Sequence, residues 1–392
     1  MRRPIRPLVV GWFGERNLGD EAMLEGLLAL LGRTLGPIEP TVVTADPEAT
    51  AAAFGVRTLR RSRPAASGFR NLDLVRASAR ASLVTLGGGD LIRDSPNGAH
   101  AALWLQRVRV PLALRRPVAL IGVSVGELDR SETLAEVRRS LGRLRFVAAR
   151  DRVSVVRLAE LGAPRPLLMG DLALEAPAAA VPSVPAASPG AAPRIGIALR
   201  ELVDRGASIP ADAGERLQQQ LARALDRVVH QTGARIELVP FRTRALPTQK
   251  DDDARAGERL AADAATGADW IRHPRPTSIA EFSAIAAGLD LVVGMRLHAT
   301  ILGAAAGRRV VALDYDPKVG AFLRDMGLGD QVLPLDADGD DIAAAIERSL
   351  SDPGLPARIA AGVEAARART RSVEPALGAL VPHPQAAGHP TG

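Results

Sequence analysis

Leu289-Asp290-Leu291-Val292-Val293-Gly294-Met295-Arg296-Leu297-His298-Ala299-Thr300-Ile301-Leu302-Gly303-Ala304-Ala305-Ala306-Gly307 decides the fold. Residues 289–293 form an apolar run of strand length, and 298–306 is a run of small and apolar residues of helical length. A strand that passes straight into a helix is the repeating unit of a parallel sheet. The pattern continues outward in both directions. Downstream of residue 193 we read strands near 194–199, 235–239, 289–293 and 309–314, with helices near 213–231, 277–287, 298–306, 339–350 and 355–371. Upstream, strands fall near 7–11, 41–44, 83–86, 118–123 and 145–149, and the clearest helix, 20–35, repeats Ala22, Met23, Leu27, Leu30 and Leu31 at helical spacing. Between the two blocks lies 176–193, with eight alanines, five prolines and no charge, which reads as a linker. The expectation is two parallel-sheet α/β domains, 1–175 and 194–372, followed by a flexible tail, 373–392.

Composition removes several classes of function. The 392 residues are 47% hydrophobic and 24% charged, which is globular and not disordered. With no cysteine there are no disulfides, thiolate metal sites or cysteine nucleophiles. No uncharged apolar run approaches the ~18 residues of a membrane span, so neither signal peptide nor anchor is expected and the cytoplasm is the expected compartment. The net charge of +6 is uneven, about +8 over 1–175 and −2 over 176–392. Seven arginines, Arg57, Arg60, Arg61, Arg63, Arg70, Arg76 and Arg80, face only Asp73 in their stretch. That stretch is either a solvated face or a contact for an anionic membrane surface or a phosphorylated ligand. Nucleic acid is not expected, because aromatics are only 3%.

Ligands of open parallel sheets bind beyond the carboxyl ends of the strands, so the residues after each strand are the candidates. The loop Gly11 to Glu21 carries Asn17 and Asp20, each either a helix cap or a ligand contact. Gly87, Gly88 and Gly89 follow another strand and permit close backbone approach. Gly122-Val123-Ser124-Val125-Gly126 is a weaker junction, and Arg150-Asp151 puts two charges where burial demands a partner. Arg296 and His298 stand at the start of a helix, where unpaired N–H groups and the dipole favour an anion. Of 50 basic residues only Lys250 and Lys318 are lysines, and Lys318 follows a strand in Asp314-Tyr315-Asp316-Pro317-Lys318. A chain that otherwise uses arginine has a reason for a compact ammonium there. No cluster of His and carboxylates has metal-ligand spacing.

Together the blocks GWFGERNLGDEAM (11–23), LGGGDLIRD (86–94), AARDRVSVVRLAELG (148–162), VVGMRLHATILGAAAG (292–307) and DYDPKVGAFL (314–323) resemble the polysaccharide pyruvyl transferase family. The resemblance implies a fold like glycosyltransferase type B, two Rossmann-like domains facing across a cleft. It implies transfer of the enolpyruvyl unit of phosphoenolpyruvate to two hydroxyls of a glycan or lipid-linked sugar, giving a pyruvate ketal and phosphate. Phosphoenolpyruvate is then a co-substrate and no cofactor is needed. It places Arg150, Arg296, His298 and Lys318 around phosphoenolpyruvate and Asp20 toward the acceptor. His298 is the expected general acid and Asp20 an anchor or base, with Asn17 and Gly87 to Gly89 as further binding residues. One departure is Gly122-Val123-Ser124-Val125-Gly126-Glu127 where many members carry a Gln-Gly-Ile-Gly-Pro-like run. The alternative reading is a glycosyltransferase of the same architecture with a nucleotide-sugar donor.

Lys318→Arg keeps the charge but not the shape, so it is expected to lose most activity. Wild-type turnover in that variant means that the lysine is incidental.

Overall fold

The structure, a computed structural model, describes residues 4–61, 71–94, 100–179, 191–202, 212–243 and 252–381. Arg63, Arg70, Lys250, positions 180–190 of the linker and the last residues from 382 lie outside them.

Two fully parallel sheets account for the alternation. The first holds β1 (Pro7–Val10), β2 (Thr41–Thr44), β3 (Arg57–Arg60), β4 (Leu83–Ile92), β5 (Val118–Val125), β6 (Phe146–Ala149) and β7 (Leu167–Leu168), in the order β3-β2-β1-β4-β5-β6-β7. The second holds β8 (Arg194–Ala198), β9 (Arg235–Leu238), β10 (Ile271–Arg272), β11 (Leu291–Gly294), β12 (Arg309–Asp314) and β13 (Val332–Pro334), in the order β10-β9-β8-β11-β12-β13. The helices are α1 (Leu18–Leu35), α2 (Pro47–Phe54), α3 (Leu72–Arg80), α4 (His100–Ala113), α5 (Ser131–Leu141), α6 (Arg152–Glu160), α7 (Ala213–Thr232), α8 (Asp253–Asp263), α9 (Ile279–Ala287), α10 (Leu297–Ala305), α11 (Pro317–Asp325), α12 (Gly339–Ser351) and α13 (Leu355–Gly378). Strands such as β1, β5, β6 and β11 are buried throughout, which is why they read as continuous apolar runs and not as alternations.

The strand order turns back between β1 and β4 in one sheet and between β8 and β11 in the other. At such a reversal neighbouring connections leave in opposite directions and open a crevice at the carboxyl ends. The loops of both crevices meet: Leu18 N donates to Phe241 O at 3.1 Å, and Lys318 Nζ lies 3.1 Å from Asp90.

Three expectations change. The strand near 83–86 does not stop before the glycines, because β4 runs on to Ile92 with a shift in register between Gly89 and Ile92. A Cβ on Gly87 would stand 2.2 Å from the Ile121 carbonyl oxygen, and Gly88 and Gly89 have φ of +76° and +90°, so glycine is what lets the strand pass. Four short strands, β3, β7, β10 and β13, escape sequence reading. β3 is the arginine-bearing edge strand Arg-Thr-Leu-Arg, whose charge suits an edge and hides its strand character. Finally, the tail expected from residue 373 is helical to Gly378, with Val373 and Leu377 buried. Here α13 returns to the first domain: Gly170 N donates to Thr370 Oγ1 at 3.1 Å, and Arg33 of α1 bonds Glu374 at 2.7 Å and Glu175 at 2.8 Å.

The expected cationic stretch also divides. Arg57, Arg60, Arg76 and Arg80 are exposed, whereas Arg61 turns inward onto Glu15. Among the described residues no helix is long and apolar enough to cross a membrane.

Leu377→Ala removes a fully buried side chain from the helix that joins the domains, and is expected to cost about 2–4 kcal/mol in urea unfolding. An unchanged midpoint would return residues 373–378 to the status of a loose tail.

Candidate active site

A cleft of about 250 Å³ lies where the two crevices face one another. Asn17, Asp20, Gly88, Gly89, Arg150, Arg296, His298 and Lys318, eight of the nine expected residues, line it. Gly87 does not; it is occupied with close packing on β5.

Asn17 and Asp20 resolve their two readings through one turn of helix. Asn17 is the N-cap of α1, accepting from Gly19 N at 3.3 Å, and its amide donates to Asp20 Oδ2 at 2.8 Å. Burial pushes the Asp20 carboxyl above its ordinary pKa, against the pull of His298, Arg242 and Asn17. Gly19 between them is fixed by steric fit: a Cβ there would stand 2.3 Å from His298 Nδ1.

His298 and Arg296 come from the β11–α10 junction, with Arg296 as N-cap residue and His298 in the first turn. The imidazole Nε2 is 3.7 Å from Asp171 Oδ2 and has no hydrogen-bond partner among the described residues. Asp171, which follows β7, escaped sequence reading because a two-residue strand leaves no periodic signal. It is completely buried and accepts from Arg150 Nη1 at 2.7 Å and Ala173 N at 2.8 Å. Burial alone would raise its pKa, yet Arg150 and His298 together hold the carboxyl well below its usual range. Arg150 also donates from Nε to Ser124 Oγ at 2.7 Å, so the divergent 122–126 block forms the wall behind this arginine.

The other cations are held in the same manner. Arg296 grips Asp253 with a fork, Nε to Oδ2 at 3.0 Å and Nη2 to Oδ1, and Asp253 Oδ2 also accepts from Phe241 N and Arg242 N. Burial raises the Asp253 pKa, and Arg296 opposes it. Lys318 Nζ lies 3.1 Å from Asp90 and 3.2 Å from Asp316, which Arg93 also contacts from the first domain. Burial would lower the lysine's pKa, but Asp90, Tyr315 and Asp316 keep it raised. The structure adds Arg200 and Arg242 to the cleft, each just past the end of a strand, β8 or β9. The rule about strand ends that found Arg296 would have found them. The arrangement as a whole can hold a small polyanion next to a histidine flanked by two carboxylates of opposite proton affinity.

Comparison with solved structures defines the class first. The chain matches a putative UDP-N-acetylglucosamine 2-epimerase from Listeria monocytogenes (TM-score 0.62, 10% identity, 96% of each chain). It also matches S. aureus MnaA, solved with UDP (0.60, 10%, 94% of this chain and 95% of that one), and a glycosyltransferase from Rickettsia africae (0.56, 12%, 96% of each). At these identities the likeness establishes the fold alone, the two-domain glycosyltransferase type B architecture. No curated protein matches the chain significantly. The polysaccharide pyruvyl transferase family model matches residues 17–317, so this chain belongs to that enzyme family.

A larger cavity, about 580 Å³, lies past Glu21, the neighbour of Asp20, but takes in none of the nine expected residues. Burial, reinforced by Asp20, pushes Glu21 up to about 7. In the unfolded chain a glutamate titrates near 4.3. The folded state therefore holds a proton that the unfolded state has lost, and stability declines as pH rises from about 4.5 through 7. Glu21→Gln is expected to flatten that decline in thermal unfolding followed from pH 4.5 to 8. An unchanged profile would show that Glu21 is already ionised in the folded state.

Proposed function

We propose that this enzyme transfers the enolpyruvyl unit of phosphoenolpyruvate to two hydroxyls of a sugar in a cell-surface polysaccharide or its lipid-linked precursor. The observation that carries this reading is the convergence of Arg150, Arg296, Lys318 and His298 on one small cleft in a chain of this family. Phosphoenolpyruvate carries about three negative charges on a carboxylate and a phosphate, and three cations around a helix N-terminus complement that charge. Arg150 keeps donors to spare: Nε bonds Ser124 and Nη1 bonds Asp171 and Met23 Sδ, which uses three of the five N–H groups of a guanidinium.

The chemistry follows from the groups present. His298 protonates the methylene carbon, which becomes the methyl group and leaves an oxocarbenium centre at the ester carbon. The first sugar hydroxyl adds to that carbon and gives up its proton, to His298 or to Asp20. The bond from the carbon to the phosphate oxygen then breaks, phosphate leaves, and the second hydroxyl closes the ketal. One hydroxyl proton balances the proton used on carbon and the other leaves with phosphate. Asp171 stands 3.7 Å from the imidazole Nε2, and Asp20, tied to Asn17, orients or deprotonates the acceptor in this reading. No cofactor takes part. The membrane-proximal location expected from the exposed arginines belongs to the lipid-linked version of the acceptor.

Two measurements test the reading. Phosphoenolpyruvate is expected to raise the melting temperature more than any sugar nucleotide does; the reverse order makes the enzyme a nucleotide-sugar transferase. His298→Gln is expected to bind phosphoenolpyruvate within about tenfold of wild type while turnover falls by ~10²–10⁴-fold. Weak binding with near-normal turnover at saturating donor would make His298 an anchor.

A further inference from the structure

The chain has only three tryptophans, and two of them meet at one wall of the cleft. Trp12 follows β1 and lines the cleft beside His100, the first residue of α4. The Trp12 ring centroid is 5.4 Å from that of His100 and 5.6 Å from that of Trp104, at tilts of 44° and 59°. The guanidinium of Arg61 sits 4.9 Å from the Trp12 centroid and 5.6 Å from that of Trp104, and is itself paired with Glu15. Trp104 is buried, whereas Trp12 and His100 stay half-buried on the cleft side. Three neighbours thus fix the plane of the Trp12 indole, at the edge of a site otherwise made of charges.

His100 adds a defined hydrogen-bonding group. An indole N–H can only donate, so the 3.0 Å bond from Trp104 Nε1 makes His100 Nε2 an acceptor. Burial, supported by Arg93, Arg107 and Arg61, lowers the His100 pKa against the pull of Asp90, which favours the neutral ring. In that ring Nδ1 carries the proton and is a donor. Phosphoenolpyruvate offers no apolar face to an indole. A pyranose does: its axial C–H bonds form an apolar face and its equatorial hydroxyls a polar rim.

We propose that the Trp12–His100 wall is the acceptor subsite, with the C–H face of a pyranose ring on the Trp12 indole and a ring hydroxyl at His100 Nδ1. The assignment rests on the reading under Proposed function, for it takes the cations as the donor site. It supplies what that reading lacks, a surface selective for a neutral sugar, on the loop that leads from β1 into α1, whose first turn carries Asp20.

The test is saturation-transfer NMR on the full-length protein saturated with phosphoenolpyruvate, using methyl galactoside, methyl glucoside and methyl N-acetylmannosaminide as probes. At least one glycoside is expected to receive saturation mainly on the C–H protons of one ring face. Trp12→Leu is expected to reduce that transfer at least fivefold, and Trp12→Phe, which keeps a ring and guards against a folding defect, to retain most of it. His100→Asn is expected to weaken glycoside binding about fivefold, and phosphoenolpyruvate binding by thermal shift is expected to stay within twofold in all three variants. Undiminished transfer in Trp12→Leu, or no transfer to any glycoside in wild type, overturns the proposal. Loss of the phosphoenolpyruvate shift in wild type, with Trp12-dependent glycoside binding preserved, would instead overturn the donor reading and leave the sugar wall standing.

Discussion

Every expected cation of the cleft is held by a buried or half-buried carboxylate, and the rest of the site depends on that constraint. Arg150 has Asp171, Arg296 has Asp253, and Lys318 has Asp90 and Asp316. Bringing a guanidinium or ammonium into a protein interior costs several kcal/mol unless a partner offsets it. The aspartates let three cations converge before any anion arrives, and they fix the geometry in advance. Such pairs add little net stability, but losing one partner leaves a buried charge alone. They are best understood as the means by which a folded protein keeps a polyanion site assembled.

The second requirement is that two domains meet in one register. Both reversals of strand order open toward the same cleft, and each domain supplies half of the charge network: Asp90 and Arg93 from one, Asp316 and Lys318 from the other. Helix α13 belongs by sequence to the second domain but packs onto the first through Thr370, Arg367 and Glu374. Because that helix crosses between the domains, its last turns bear on the alignment of the cleft. Within the cleft, the oppositely displaced carboxylates Asp20 and Asp171 flank one imidazole, so position and proton affinity come from the same packing.

Charge along the sequence and charge on the surface are different quantities here. The arginines between 57 and 80 form a run when read along the chain, yet the five described ones end in three environments: an exposed edge strand, an exposed helix face, and the stack in which Arg61 lies over Trp12 and Trp104. The last of these joins the arginine-rich stretch to the cleft.

The fold was legible because burial on both faces writes itself into sequence. Strands β1, β5, β6 and β11 are apolar runs, α1 and α7 repeat apolar residues at helical spacing, and the alternation of the two types admits few architectures. Strand ends then pointed to Asp20, Arg150, Arg296, His298 and Lys318, since a charge directly after a buried strand needs a reason. Short elements were not legible: two to four residues in β3, β7, β10 and β13 are too few for a period, and Asp171 went unread with β7. Nor were the partners. Arg150 and Asp171 are 21 residues apart, Arg296 and Asp253 are 43 apart, and Lys318 and Asp90 are 228 apart. Sequence states which groups are expensive to bury; only the tertiary structure decides which opposite charge is brought alongside, because that choice is made by sheet order and domain docking.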